Sequence, residues 1–289
     1  MLKIPSHQVA GHHASNGTRG PLIDDAGHFY KPLQGDDRGS DEVTFYQQFA
    51  SNTNIPDNIR KFFPIFYGTK VMKASDGSEH PHIVLQDLVS SCTNPTIMDI
   101  KIGARTWGPD ASDDYITKCL KRDLETTSAR LGFRISGLQV YINEEAGFYK
   151  PQRDLVLKSS VDHVKMLFRR FVSFDPRVDG SGLDRGLALD VYGGDNGILA
   201  QLLELKAWFE DQSVYHFCAC SILFVFEKGL ALKGASSNAQ VKLIDFAHVS
   251  EGGGVIDHNF LGGLCSLINF ISEVLEDHQD HITCHGDGR

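Results

Sequence analysis

Pro95-Thr-Ile-Met-Asp99-Ile-Lys101-Ile-Gly103 is an apolar run interrupted twice, once by an acid and once by an amine. On an extended backbone successive side chains leave opposite faces, so Asp99 and Lys101 project together while Ile100 and Ile102 enter a core. A carboxylate and an ammonium are thereby set side by side on an apolar anchor. Downstream, Leu243-Ile244-Asp245-Phe246-Ala247-His248 ends a second apolar run, begun at Val241, on an acid. An acid there is costly to bury unless it holds a metal or a cationic partner. A strand-end Asp before Phe is one way in which phosphoryl-transfer enzymes hold Mg2+ against ATP phosphates. Between the two runs lies Cys220-Ser221-Ile222-Leu223.

Residues 1 to about 40, rich in Gly, His, Asp and Pro, read as loops and short strands. Asp41 to Phe49 fits a short helix, and Ile65 to Val71 and His82 to Leu88 read as strands. Residues 1–88 are thus expected to form a small, mainly β lobe and 89–289 a larger α+β lobe. In the larger lobe, helical spacing predicts helices over Asp113–Leu131, Val161–Phe174, Ile198–Gln212 and Leu261–Glu276. Asp175 to Asn196, loaded with Gly and Asp, is expected to be a long mobile loop. Tyr215–Glu227 and Gln240–His248 read as paired buried strands joined by a Gly234–Asn238 turn. The fold class implied is α+β with two lobes, and the cleft between them is the default ligand site.

Composition narrows the function. With 289 residues, 41% of them hydrophobic, the chain can bury a substantial core. A formal net charge of −9 argues against direct nucleic-acid binding, so any phosphate site must be a local basic patch. No apolar run approaches the length of a membrane span, and Met1 to His7 lacks a signal-peptide core, so a nuclear or cytoplasmic location is expected. The six cysteines show no CxxC pair, which suits a reducing compartment and free thiols. A monomer is expected.

The PxxxDxKxG pattern of Pro95 to Gly103, followed in order by CSIL and IDFA, resembles the signature motifs of the inositol polyphosphate kinase family. The likeness extends from SHQVAGH (Ser6 to His12) to the last predicted helix, and is nearest to the compact, plant-like multikinase branch. It implies a two-lobed relative of protein kinases with ATP in the interlobe cleft and Mg2+ or Mn2+ as cofactor. It also implies transfer of phosphate from ATP to inositol tris- and tetrakisphosphates, towards the pentakisphosphate. By resemblance, Lys31 contacts ATP phosphates and Glu42 orients it, and Gln86, Asp87 and Leu88 form the adenine hinge. Asp99 is the motif acid, at the ribose or in catalysis, and Lys101 touches both the moving phosphoryl and the substrate. Asp245 is the metal ligand with Ser221 in support, and His248 faces the substrate. Cys220 and Ile222 replace two residues of the family's SSLL, and Gln86 stands where many relatives carry an acid.

An inositol phosphate needs several cations around it. Lys118, Lys121 and Arg122 stand at i, i+3 and i+4 of the predicted 113–131 helix, on a face distinct from Ile116, Leu120 and Leu124, and are candidates for the substrate edge. Only one helix fits between Gly103 and Gly132, which points to an open site tolerant of several substrates. The alternatives are a single-step inositol trisphosphate 3-kinase and a nuclear interaction protein, with protein partners, whose kinase activity is secondary. A protein kinase is disfavoured, since no GxGxxG precedes Lys31 and no HRDxxxxN precedes Asp245. His278, His281, Cys284 and His285 match no common zinc spacing and read as a frayed end, and His12 and His13 as loop residues.

Overall fold

The computed structural model describes residues 1–10, 20–73, 78–177, 183–231 and 234–276, so His12, His13 and the histidine-rich tail lie outside the described residues. The chain begins with β1 (Leu22–Ile23), β2 (His28–Pro32), α1 (Asp37–Ser51), α2 (Asp57–Arg60), β3 (Phe66–Lys73) and β4 (Glu79–Gln86). These strands form an antiparallel sheet in the order β1-β2-β4-β3. Asp36 caps α1 by accepting from the Arg38 N–H, which satisfies a donor the first turn leaves free. The helix buries Glu42, Phe45, Tyr46 and Phe49, spaced three and four apart along one face.

The second lobe runs through β5 (Pro95–Ile102), α3 (Asp113–Glu125), α4 (Ser128–Leu131), β6 (Phe133–Asn143), β7 (Gly147–Tyr149), α5 (Arg153–Leu157) and α6 (Val161–Phe171). It continues with α7 (Arg185–Val191), α8 (Ile198–Asp211), β8 (Tyr215–Phe217), β9 (Ser221–Glu227), α9 (Lys228–Ala231), β10 (Gln240–Ile244), β11 (Val249–Glu251) and α10 (His258–Glu276). Its main sheet has the order β10-β9-β5-β6-β7, which puts the Pro95 strand at the centre. Every residue of β5 except Lys101 is buried. Helix α10 packs against α6, α8, β5 and β6, presenting Phe260, Leu264, Leu267, Ile271 and Val274 as one apolar stripe. Among the described residues no helix is long and apolar enough to cross a membrane.

Register assembles the motifs. Lys101 pairs with Ser221, and Ser221 on its other side pairs with Ile244, the residue before Asp245. Asp99 lies opposite Leu223 in β9 and Gly137 in β6, with a bulge between Asp99 and Ile100. Phe246, next to the strand-end acid, sits 4.4 Å from Phe45 of α1 between ring centroids and 5.3 Å from Phe63. This aromatic cluster locks the first lobe's helix onto the second lobe's metal-type motif, and such pairs add to the area they bury.

Several expectations are corrected. The 175–196 stretch, expected as a long loop, contains α7, capped by Asp184 through the Leu187 N–H and burying Leu187, Ala188 and Val191. The Tyr192 hydroxyl that follows is buried and donates to the Phe168 carbonyl at 2.8 Å. Asp184 is this helix's cap, and Gly193 to Gly197 make the tight turn into α8, where a Cβ on Gly197 would stand 1.7 Å from the Gly193 carbonyl. The helix expected over 113–131 is two, α3 and α4, broken where Thr126 adopts an extended conformation. Its apolar face is also not where spacing placed it: Leu120 and Leu124 are exposed, and α3 buries Cys119 and Asp123. The single strand expected over Tyr215–Glu227 is divided, β8 pairing with β11 and β9 with β10 and β5.

Candidate active site

Lys31, Glu42 and Asp245 converge on one cleft of about 920 Å3 between the lobes. The Lys31 ammonium donates to Glu42 Oε1 at 2.9 Å and to Asp245 Oδ1 at 2.8 Å. Burial disfavours charge on Lys31, but the Asp245 and Glu42 carboxylates outweigh it and hold its pKa above the usual lysine range. Lys31, aided by Lys101, in turn holds Asp245 at about 2, so its carboxylate is ionised near neutral pH. Nearly half of the Asp245 side-chain surface stays open to the cleft. Its backbone takes φ 68°, a strained value for a residue with a Cβ, which aims the acid away from the strand line.

Asp99 is buried, and burial first, then the Asp245 charge, raises its pKa to about 6. Its Oδ1 and the Ser221 hydroxyl beside it are buried without a hydrogen-bond partner. Ser221 is itself sealed behind the strand and does not line the cleft, whereas Asp99 and Lys101 do. Lys101 Nζ donates to the Ala219 carbonyl at 2.5 Å, from a residue held at φ 54°. The donors that reach the cleft fit a hard divalent cation, an open ionised carboxylate on Asp245 and a second carboxylate on Asp99, whereas Ser221, expected as a metal ligand, is shut off from it. Among the described residues no group of three or more His, Cys, Asp or Glu forms a cage of its own. That pattern suits Mg2+, which takes one or two carboxylates and completes its shell with phosphate and water.

The residues expected as the hinge begin at the end of β4. Gln86 continues the first sheet by donating its N–H to the Ile65 carbonyl at 2.8 Å. Asp87 turns its carboxylate onto the Val89 N–H at 3.1 Å, and burial raises its pKa. Gln86, Asp87 and Leu88 line the cleft beside Phe29 and Leu85, a largely apolar slot. Arg38, Lys101, Arg122 and Arg134 also line the cleft, with the imidazole of His248. His248 Nε2 stands 3.5 Å from the Tyr115 hydroxyl, and burial, then Arg38 and Lys101, lowers its pKa.

Of the three cations expected from α3, the structure brings only Arg122 to the cleft, where it donates to Thr106 Oγ1 at 3.2 Å. Lys118 and Lys121 are exposed outside it, Lys121 within 3.9 Å of Glu125 in a solvated pair. Arg38 and Arg134 were not foreseen. Arg134, buried, donates to Asp123 Oδ1 at 2.9 Å and to Ser128 Oγ at 2.6 Å. The legible signal was a charged residue inside the apolar strand Phe-Arg-Ile-Ser from Phe133, because a buried arginine is kept only where it is paired or used.

A family model described as inositol polyphosphate kinase matches residues 82–272, well over half of the chain. The inositol polyphosphate multikinase alpha of Arabidopsis thaliana is 55% identical over 279 residues, covering 96% of this chain and 97% of that one. A solved structure of an inositol phosphate multikinase superposes with a TM-score of 0.70 at 50% identity, over 81% of this chain and 99% of the other. A second, the multikinase of S. cerevisiae in complex with ADP and Mn2+, gives 0.66 at 19% identity, over 86% and 99%, and speaks to the fold alone. By its motifs, its fold and this near full-length likeness, the chain belongs to the inositol polyphosphate kinase family.

Proposed function

We propose that the protein transfers the γ-phosphate of ATP to ring hydroxyls of inositol phosphates, acting as a multikinase that converts tris- and tetrakisphosphates towards the pentakisphosphate. One observation carries the reading: a single cleft is lined by the apolar Phe29, Leu85 and Leu88 beside Gln86 and Asp87, by Arg38, Arg122, Arg134 and His248, and by Lys31, Asp99, Lys101 and Asp245. Phosphoryl transfer asks a protein mainly for positioning and charge stabilisation, which this arrangement supplies. Glu42 steers Lys31 to the triphosphate, and Lys101 stands where the moving phosphoryl meets the acceptor. Asp99, held close to neutrality, can take a hydrogen-bonding or proton-accepting role at the acceptor side. Asp245 and Asp99 would hold Mg2+, and the ion when bound would offset charge on the phosphate oxygens. Arg38, Arg122, Arg134 and His248 would bind the substrate phosphates through charge-assisted hydrogen bonds. The multikinase assignment draws on the description of the 55% identical relative.

Incubation with Mg2+, ATP and inositol 1,4,5-trisphosphate, with products separated by chromatography and Lys101→Ala as control, tests this. Successive tetrakis- and pentakisphosphate peaks are expected. A single product would make it a dedicated 3-kinase, and no product would remove the kinase reading.

A further inference from the structure

The first ten residues cross from one lobe to the other. Lys3 joins the first sheet by exchanging backbone hydrogen bonds of 2.9 and 2.8 Å with Ile23, and the Met1 amino group meets Asp25 at 2.8 Å. From Ser6 to Val9 the chain lies on the second sheet. Lys150 Nζ donates to the Ser6 carbonyl at 3.1 Å, His7 Nδ1 is 3.1 Å from Gln139 Nε2, and the His7 ring packs 5.2 Å from Phe148. Val9 then crosses β6 over Gly137 so closely that a Cβ on that glycine would stand 2.1 Å from the Val9 carbonyl oxygen. Gly137 is not in the left-handed region, so no turn requires a glycine there. It is a notch that admits the strap, directly opposite Asp99 in register.

Between these two anchors Pro5 to Ala10 line the cleft. His7 and Asp87 both line it. A nucleotide bound in the cleft would have this strap as part of its wall, alongside residues of both sheets.

We infer that the Ser6–Ala10 strap is a positioning element for the nucleotide, seated by the Gly137 notch and the His7–Gln139 contact, and that its seating sets the affinity for ATP. Such a role presupposes the ATP site proposed for the cleft. Because the strap is bonded to both lobes, a nucleotide that draws them together seats it, and a seated strap favours the nucleotide to the same degree.

The test uses the full chain as wild type, Gly137→Ala, His7→Ala and the double variant, with KM and kcat measured for both substrates. Hydrogen exchange of residues 1–10 is followed with and without ADP and Mg2+. Each single change is expected to raise the KM for ATP about tenfold, leave kcat within about twofold, and leave the KM for inositol phosphate unchanged. The double variant should be no worse than the weaker single, because both unseat one strap. ADP should slow exchange at Ser6–Ala10 in wild type and not in Gly137→Ala. Additive effects, an unchanged KM for ATP, or ADP protection that survives Gly137→Ala would overturn the inference. If Gly137→Ala fails to fold, His7→Ala decides by the same readouts. A wild type without kinase activity would remove the kinase reading, and ADP-dependent exchange would still judge the strap.

Discussion

Lys31 and Asp245 meet across the cleft, Nζ to Oδ1 at 2.8 Å, although 214 positions separate them in sequence. The same ammonium holds Glu42, whose Oε1 also accepts from the Phe246 N–H at 3.3 Å. One lysine of the first sheet therefore fixes both the helix α1 and the residue pair that ends β10. The lobes are joined through these three charges and the aromatic cluster around Phe246.

Lys31→Met should accordingly cost stability as well as activity. It leaves the Glu42 carboxylate, which is almost fully buried, without its cation. Breaking a buried pair in this way costs about 3 kcal/mol, less here because Lys31 is partly solvated. Asp245 has a folded pKa below its unfolded value, so its stabilising contribution is present above about pH 4 and is lost as pH falls through the range from about 4 to 2. Urea titrations at pH 7 and pH 3 should show the gap between wild type and Lys31→Met narrowing at the lower pH. A gap that widens would mean the pairing does not act through Asp245.

Asp99 carries the opposite sign. Its folded pKa of about 6 lies above the model-peptide value of 3.8, so ionising it is a burden on the folded state. Wild-type stability should fall as pH rises from about 4 through about 6, and a shift of two units corresponds to about 3 kcal/mol. Asp99→Asn escapes that burden while losing activity. Thermal unfolding should place Asp99→Asn above wild type at pH 8 and level with it at pH 4; equal differences at both would show that the acid is not held near neutrality.

Much of the architecture could be read before any coordinates, because its central features are periodic. Asp99 and Lys101 leave the apolar strand on a face reaching the cleft, and Ile198, Leu202, Leu205 and Phe209 form the buried face that their spacing implied. What escaped the sequence is long-range. Nothing local tells that Arg38 from α1 and Arg134 from β6 face the same cavity, because strand register and lobe docking bring them together. The helix α7 escaped because glycine and aspartate mark caps as strongly as loops. Lys118 and Lys121 were misleading for the reason that exposed helix charges usually are: periodicity gives a face, not a neighbour.

Those two lysines separate from Arg122 by experiment. Arg122→Ala should raise the KM for inositol phosphate about tenfold, the loss of one charge-assisted hydrogen bond, with the KM for ATP unchanged. Lys118→Ala and Lys121→Ala should stay within about twofold for both substrates, since solvated charges contribute little. A tenfold effect at Lys121 would mean that α3 presents a different face to the bound substrate.

Lys228 offers a test of the scaffold that leaves the cleft untouched. Its side chain is buried at the end of β9, and its ammonium donates at 2.8 Å to each of three carbonyls, those of Tyr141, Ser173 and Phe174. Tyr141 belongs to β6, and Ser173 and Phe174 follow the C-terminus of α6, where carbonyls lack helical partners and a cation is favoured. Burial pulls the Lys228 pKa down to about 8, opposed by the nearby charges of Asp175 and Asp184. Lys228→Met fills much of the same volume but satisfies none of the carbonyls. Leaving even two of them unpaired should cost about 2 to 6 kcal/mol, enough to threaten a domain whose whole stability is of order 10. A midpoint in urea within error of wild type would mean that water replaces the ammonium at no loss. A loss confined to local hydrogen exchange at the end of α6 would place the lysine as a clamp for that helix alone rather than a brace for the lobe.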